Sequence, residues 1–187
     1  MKTVAIMIDY FGKQPDWLPI FLLSCRHNPT IDWIIHSDCI AEDSVPANVK
    51  VVPTSFAAYK EKVSDALQIK FNPARPYNIC NLKPLFPKIH YALGKSYDYV
   101  GWGDIDVIYG NIREFYTDSV LERNVISNQA DFCSGHLTLI RNECWLRDAF
   151  ELLTGWKDIL EIEGDFTWEQ SLDEARLSSL FLSLIHI

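Results

Sequence analysis

The chain has 187 residues, of which 48% are hydrophobic and 22% charged, and it carries a formal net charge of −8. That length and balance fit one globular domain with its own core and exclude a disordered chain. Acidity without any run of Lys or Arg excludes a nucleic-acid partner, and no apolar run reaches the ~20 residues that a membrane span needs.

Apolar runs alternate with helical patterns from the start, which predicts an α/β domain built on a mostly parallel sheet. The first strand is expected over Lys2 to Ile8, followed by a Phe11-Gly12 turn. An apolar helix follows over Asp16 to Ser24, with Asp16 as N-cap and Pro19 in its first turn. Ile31 to His36 and Asn48 to Val52 read as strands two and three, the latter stopped by Pro53. From Ala58 to Lys70 the apolar residues Tyr59, Val63, Ala66 and Leu67 recur at helical spacing. Pro73 and Pro76 make a loop, and Pro84 opens a helix in which Leu85, Ile89 and Ala92 align. Tyr97 to Trp102 is a further strand, ending at Asp104-Ile105-Asp106 and a short hydrophobic continuation, Val107-Ile108-Tyr109. His136 to Ile140 is another strand; Asn142 then caps a helix with Leu146, Ala149, Phe150 and Leu153 on one face. A last helix runs over Trp168 to Leu180.

The chemistry is expected at Asp104 and Asp106. In an extended strand exit, side chains at i and i+2 point the same way. Open α/β sheets bind ligands where loops leave the carboxyl ends of the strands. Two convergent carboxylates at that place suit Mg²⁺ or Mn²⁺, which completes its shell with water and substrate phosphates. Such a cation would also supply the positive charge that an acidic chain lacks for a nucleotide. An Asp-x-Asp is a weak signal alone, because this Asp content produces about one by chance; a preceding apolar strand with Gly103 and Gly110 nearby strengthens it.

The run Tyr97-Asp98-Tyr99-Val100-Gly101-Trp102-Gly103-Asp104-Ile105-Asp106-Val107-Ile108-Tyr109-Gly110-Asn111-Ile112 closely resembles a bacterial family of GT-A-type glycosyltransferase-like proteins from polysaccharide biosynthesis. Tyr10-Phe11-Gly12, Asp38, Asn81-Leu82-Lys83-Pro84 and Ser134-Gly135-His136-Leu137 are also similar to it. The resemblance implies a GT-A-like, Rossmann-related sheet flanked by helices. It also implies metal-dependent transfer of a sugar from a nucleotide-sugar donor to a glycan or other hydroxyl acceptor. On that basis Asp9 and Tyr10 would lie near the nucleobase, and Asp38 near base or ribose. Asp104 would meet ribose or a metal-bound water, Asp106 would hold the metal, and Lys83 would neutralise diphosphate charge. Ser134, Gly135 and His136 would face the acceptor, and Asp173 or Glu174 would be the base of an inverting reaction. Plainer readings stay open beside these: Asp38 capping a turn, Lys83 as a solvated loop lysine, Gly135 relieving a bulge.

Two rival functions also stay open. A strand followed by Asp-x-Asp fits a haloacid-dehalogenase-type phosphohydrolase with Asp104 as nucleophile, and a non-catalytic nucleotide- or carbohydrate-binding domain would share the same first contacts. Five scattered cysteines without a CxxC pair argue for a reducing, cytoplasmic setting, with peripheral membrane contact left open. The last six residues, Leu182-Ser183-Leu184-Ile185-His186-Ile187, read as an in-frame translation of a sequencing adapter. On that reading the single domain covers residues 1–181, is truncated at its C-terminus, and carries 182–187 as a tail; the alternative is ordinary apolar residues closing a helix.

Overall fold

The computed structural model describes residues 1–161 and 172–185, with the backbone alone for residues 173–175 and 182–185. Its centre is a mixed six-stranded sheet of order β3-β2-β1-β4-β6-β5. β1 (Val4–Tyr10), β2 (Asp32–Ser37), β3 (Val49–Pro53) and β4 (Tyr99–Gly103) run parallel, while β6 (Leu137–Arg141) pairs antiparallel with both β4 and β5 (Val125–Ser127). The α/β class and the mostly parallel core are as expected. β5 was not legible in the sequence, because three residues are too few to show a period-2 pattern.

Strand alternation divides the core into two. Val4, Ile6 and Ile8 of β1 join Trp33, Ile35 and Tyr99 on one face, with Leu18, Phe21 and Leu22 of α1 (Leu18–Arg26) packed over them. Ala5 and Met7 point to the other face with Ile34, Val100 and Trp102, under Tyr59, Val63 and Leu67 of α2 (Phe56–Leu67). Because side chains alternate, Asp9 belongs to the α2 face and Tyr10 to the α1 face. The pairing of Gly101 with Leu139 is close: a Cβ at Gly101 would lie 2.0 Å from the Thr138 carbonyl oxygen.

Several helix boundaries differ from the sequence expectation. Trp17, not Asp16, is the N-cap of α1, and no side chain caps it, although Pro19 does sit in the first turn. α2 begins earlier, where Ser55 accepts from the Ala58 amide, and stops at Gln68, whose φ of 53° is left-handed. The expected helix after Pro84 is instead a chain of short turns. A 3₁₀ segment over Pro76–Leu85 leads to α3 (Phe86–Ile89) and α4 (Tyr91–Gly94). Pro84 and Pro87 offer no amide to a regular ladder, and His90, between α3 and α4, leaves helical geometry at φ −105°, ψ 22°.

Beyond β4 the chain forms α5 (Ile112–Phe115), and beyond β6 it forms α6 (Cys144–Arg147) and α7 (Trp156–Leu160). Asn142 does not cap a helix: its amide donates to the carbonyls of Gly94 and Tyr97, tying β6 to the approach of β4. Of the last predicted helix, residues 168–171 lie outside the described residues. A π-helical turn over Leu172–Leu177 runs into α8 (Ser178–Ile185), so the helical backbone continues past Phe181 into the suspected tail. No helix among the described residues is long and apolar enough to cross a membrane.

Candidate functional site

The chain leaves β1 to one side through β2 and β3, then returns to place β4 on the other side of β1. The β1–β4 boundary is therefore a topological switch point, the place at which open α/β sheets bind their ligands. Asp104 follows β4 directly. Ile105 and Asp106 are in a turn rather than an extended continuation, so the i, i+2 argument for paired side chains does not hold here. Ile105 turns inward at 6% exposure, Asp104 is half-buried, and Asp106 is exposed.

Asp104 is held from several directions. Its Oδ1 lies 2.6 Å from Lys83 Nζ and its Oδ2 lies 2.8 Å from His136 Nδ1. Its backbone N–H donates to the Tyr109 hydroxyl at 2.9 Å. That hydroxyl shares its one proton between the carbonyls of Asp104 and His136, at 3.0 and 2.9 Å. Burial pushes the Tyr109 hydroxyl well above its usual pKa, so it acts as a neutral clamp. Gly103 makes room for it, since a Cβ there would come within 2.5 Å of that oxygen.

Lys83 reaches Asp104 from the 3₁₀ segment, which packs on the α2 face of the sheet. It is buried, and it also donates to the Gly135 carbonyl at 3.2 Å. The solvated-loop alternative for Lys83 therefore falls. Its ammonium lies against Asp104, where the resemblance implied diphosphate. Of the expected acceptor-side residues, Ser134 and Gly135 are buried. The Ser134 carbonyl accepts from Trp102 Nε1 and Thr138 Oγ1, and its hydroxyl accepts from the His136 amide. These two shape the turn; His136 alone is exposed. Tyr10 and Asp38 lie at the exits of β1 and β2. Asp38 Oδ1 accepts from the Gly12 amide at 2.8 Å, the turn role left open for it, and the Tyr10 hydroxyl donates to the Lys13 carbonyl. Burial first, then the charges of Cys39 and Asp106, raise the Tyr10 hydroxyl. The side chains of Asp173 and Glu174 lie outside the described residues.

Asp9 differs most from its expected place. The strand reading stopped at Ile8, which would leave Asp9 in the exit loop. β1 in fact continues to Tyr10, and alternation turns Asp9 under α2, where its side chain is 0% exposed. It therefore does not face the strand exits. His36 Nδ1 approaches its Oδ1 at 3.0 Å, off the line of a good hydrogen bond, and His90 Nε2 approaches its Oδ2 at 2.8 Å; Tyr59 donates its hydroxyl to Oδ2. The two imidazoles stack with centroids 3.9 Å apart, and their remaining nitrogens each lie 2.9 Å from Lys62 Nζ.

His90 donates from Nε2 to Asp9 and accepts at Nδ1 from Lys62, while His36 accepts at Nε2 from Lys62 and leaves its Nδ1 beside Asp9 Oδ1 without a hydrogen bond, so one buried negative charge is linked to one positive charge. Burial works to raise the Asp9 carboxyl, but His90 and His36 outweigh it and hold the carboxyl well below the usual range. Burial pushes His90 down to about 4. Asp9, His36 and His90 offer ligand atoms within 4.8 Å of one another, as a metal site would. Their stacked rings and the lysine between them favour a hydrogen-bonded relay over an ion. Apart from the Tyr59 and Asp9 side chains, this cluster had no motif by which the sequence could announce it.

Residues 6–176 match a family described as a family of unknown function (DUF6625), and since the match spans most of the chain, the chain belongs to that family. A comparison with curated proteins finds no match.

Proposed function

We propose that this member of DUF6625 is a nucleotide-sugar-dependent glycosyltransferase whose donor site is at the β1–β4 switch point. The observation that carries the reading is the pair of acids at the exit of β4: Asp104 fixed by Lys83, His136 and the Tyr109 clamp, Asp106 exposed beside it. Asp106 fits a hard cation that takes one or two carboxylates and fills its shell with phosphate and water. Asp104, with both oxygens engaged, fits an orienting role toward ribose or a metal-bound water. When bound, Mn²⁺ or Mg²⁺ would stabilise the charge that develops on the departing diphosphate. Lys83 sets the geometry of Asp104 and offsets its charge. On this reading Tyr10 and Asp38, at the neighbouring strand exits, would bound the nucleoside, and His136 the acceptor. The contacts of Asp104 also withdraw it from the nucleophile role that a phosphohydrolase would require.

Thermal unfolding of the protein with a panel of nucleoside diphosphates, with and without Mn²⁺, tests this. One nucleotide is expected to raise the unfolding temperature only when the metal is present. Asp106→Ala should abolish that rise while leaving the unliganded unfolding temperature unchanged, because the side chain is exposed. Full retention of metal-dependent binding in Asp106→Ala would remove the basis of the assignment.

A further inference from the structure

We propose that a second cleft, next to the Asp104–His136 pair, seats an apolar group of the acceptor, an aryl ring or alkyl chain close to the hydroxyl that receives the sugar. This rests on the transferase reading for the acceptor's role, while the cleft stands on separate observations. It encloses about 400 Å³ on the α1 side of the sheet, between the exit of β4, the end of β5 and the start of β6. That is the size of a small-molecule pocket. Its floor includes the buried apolar side chains Ile126 and Leu137 and the buried ring of Tyr116. Its rim includes Ile108 and Phe115, which are 69% and 73% exposed. Large apolar residues left in water beside an apolar cavity form one continuous surface, and surfaces of that kind mark binding sites.

The cleft is joined to the proposed chemistry by His136. This residue lines the cleft and holds its Nδ1 2.8 Å from Asp104 Oδ2. A group seated on Ile126 and Leu137 would thus bring an attached hydroxyl toward the Asp104–His136 pair. The wall is mainly apolar in area, and Asn111, Ser127, Asn128 and His136 add polar groups at which an attached sugar would hydrogen-bond.

Saturation-transfer NMR on the full chain with methyl, phenyl and octyl β-D-glucopyranoside, the last below its micelle-forming concentration, tests the inference. Phenyl or octyl glucoside is expected to bind at least tenfold more tightly than methyl glucoside. A preference for phenyl assigns an aromatic acceptor group, and a preference for octyl assigns a lipid chain. The double variant Ile108→Ser, Phe115→Ser should lose that discrimination and keep its unfolding temperature, since both side chains are exposed. Equal binding of the three glycosides, or a preference unchanged in the double variant, overturns the proposal. Titration of the same proteins with nucleoside diphosphate and Mn²⁺ separates the two readings. Metal-dependent nucleotide binding without apolar preference removes the cleft alone. Apolar preference without nucleotide binding overturns the acceptor role.

Discussion

At the scale of single residues, Tyr109 shows how one hydroxyl can hold a site. It accepts from the Asp104 amide and donates toward the carbonyls of Asp104 and His136, so it joins the exit of β4 to the start of β6. Its ring packs against Trp33 at 4.7 Å, and Phe would preserve that packing. Tyr109→Phe is therefore expected to cost roughly 2 kcal/mol by leaving buried polar groups without a partner, read as a lower urea midpoint at unchanged slope. Metal-dependent nucleotide affinity should fall with it, because Asp104 loses its clamp. A midpoint within error of the parent would mean that the hydroxyl carries no such load.

At the scale of elements, the buried relay ties β1, β2, α2 and the α3–α4 junction through Asp9, His36, Tyr59, Lys62 and His90. His90 is shifted by burial from 6.5 to about 4, so the unfolded chain binds its proton more readily than the folded one. Stability from this residue is complete above about pH 6.5 and is lost as pH falls toward 4. Asp9 acts in the same direction at lower pH: its depressed carboxyl contributes above the unfolded value of 3.8, and that contribution is lost on further acidification. The His90 part amounts to about 3 kcal/mol. Circular-dichroism melts should show the unfolding temperature dropping by roughly 10 °C between pH 7 and pH 4.5. His90→Gln should flatten that drop; an equally steep one in the variant would place the proton uptake elsewhere.

At the scale of the whole molecule, the antiparallel half of the sheet closes on the parallel half at Gly101. The Thr138 carbonyl occupies the space a side chain would need. Gly101→Ala must therefore push β6 away from β4 and carry the Ser134–His136 turn with it. A loss above about 3 kcal/mol is expected in equilibrium denaturation, the size reserved for overpacking or strain in a core. A change below 1 kcal/mol would show that the two strands can separate freely. The switch point and the adjoining cleft both depend on this junction, because β4 supplies Asp104 and the start of β6 supplies His136.

The sequence by itself determined the α/β class, the four parallel strands to within two residues, and Asp104-Ile105-Asp106 at the exit of the fourth. Those features are local, since strand periodicity and a polar break after it are written in consecutive residues. It also marked Lys83 and His136, though not that they meet at Asp104 from segments 53 positions apart. Only the tertiary structure decided where Asp9 points, because two further residues of strand turned it from the exit loop into a buried relay. It alone brought His36, Lys62 and His90 together, and joined a cleft of residues 107–137 to the acidic turn. The physical reason is common to all three. Side-chain direction is set by register and by the packing of distant elements, and neither has a signature in neighbouring residues.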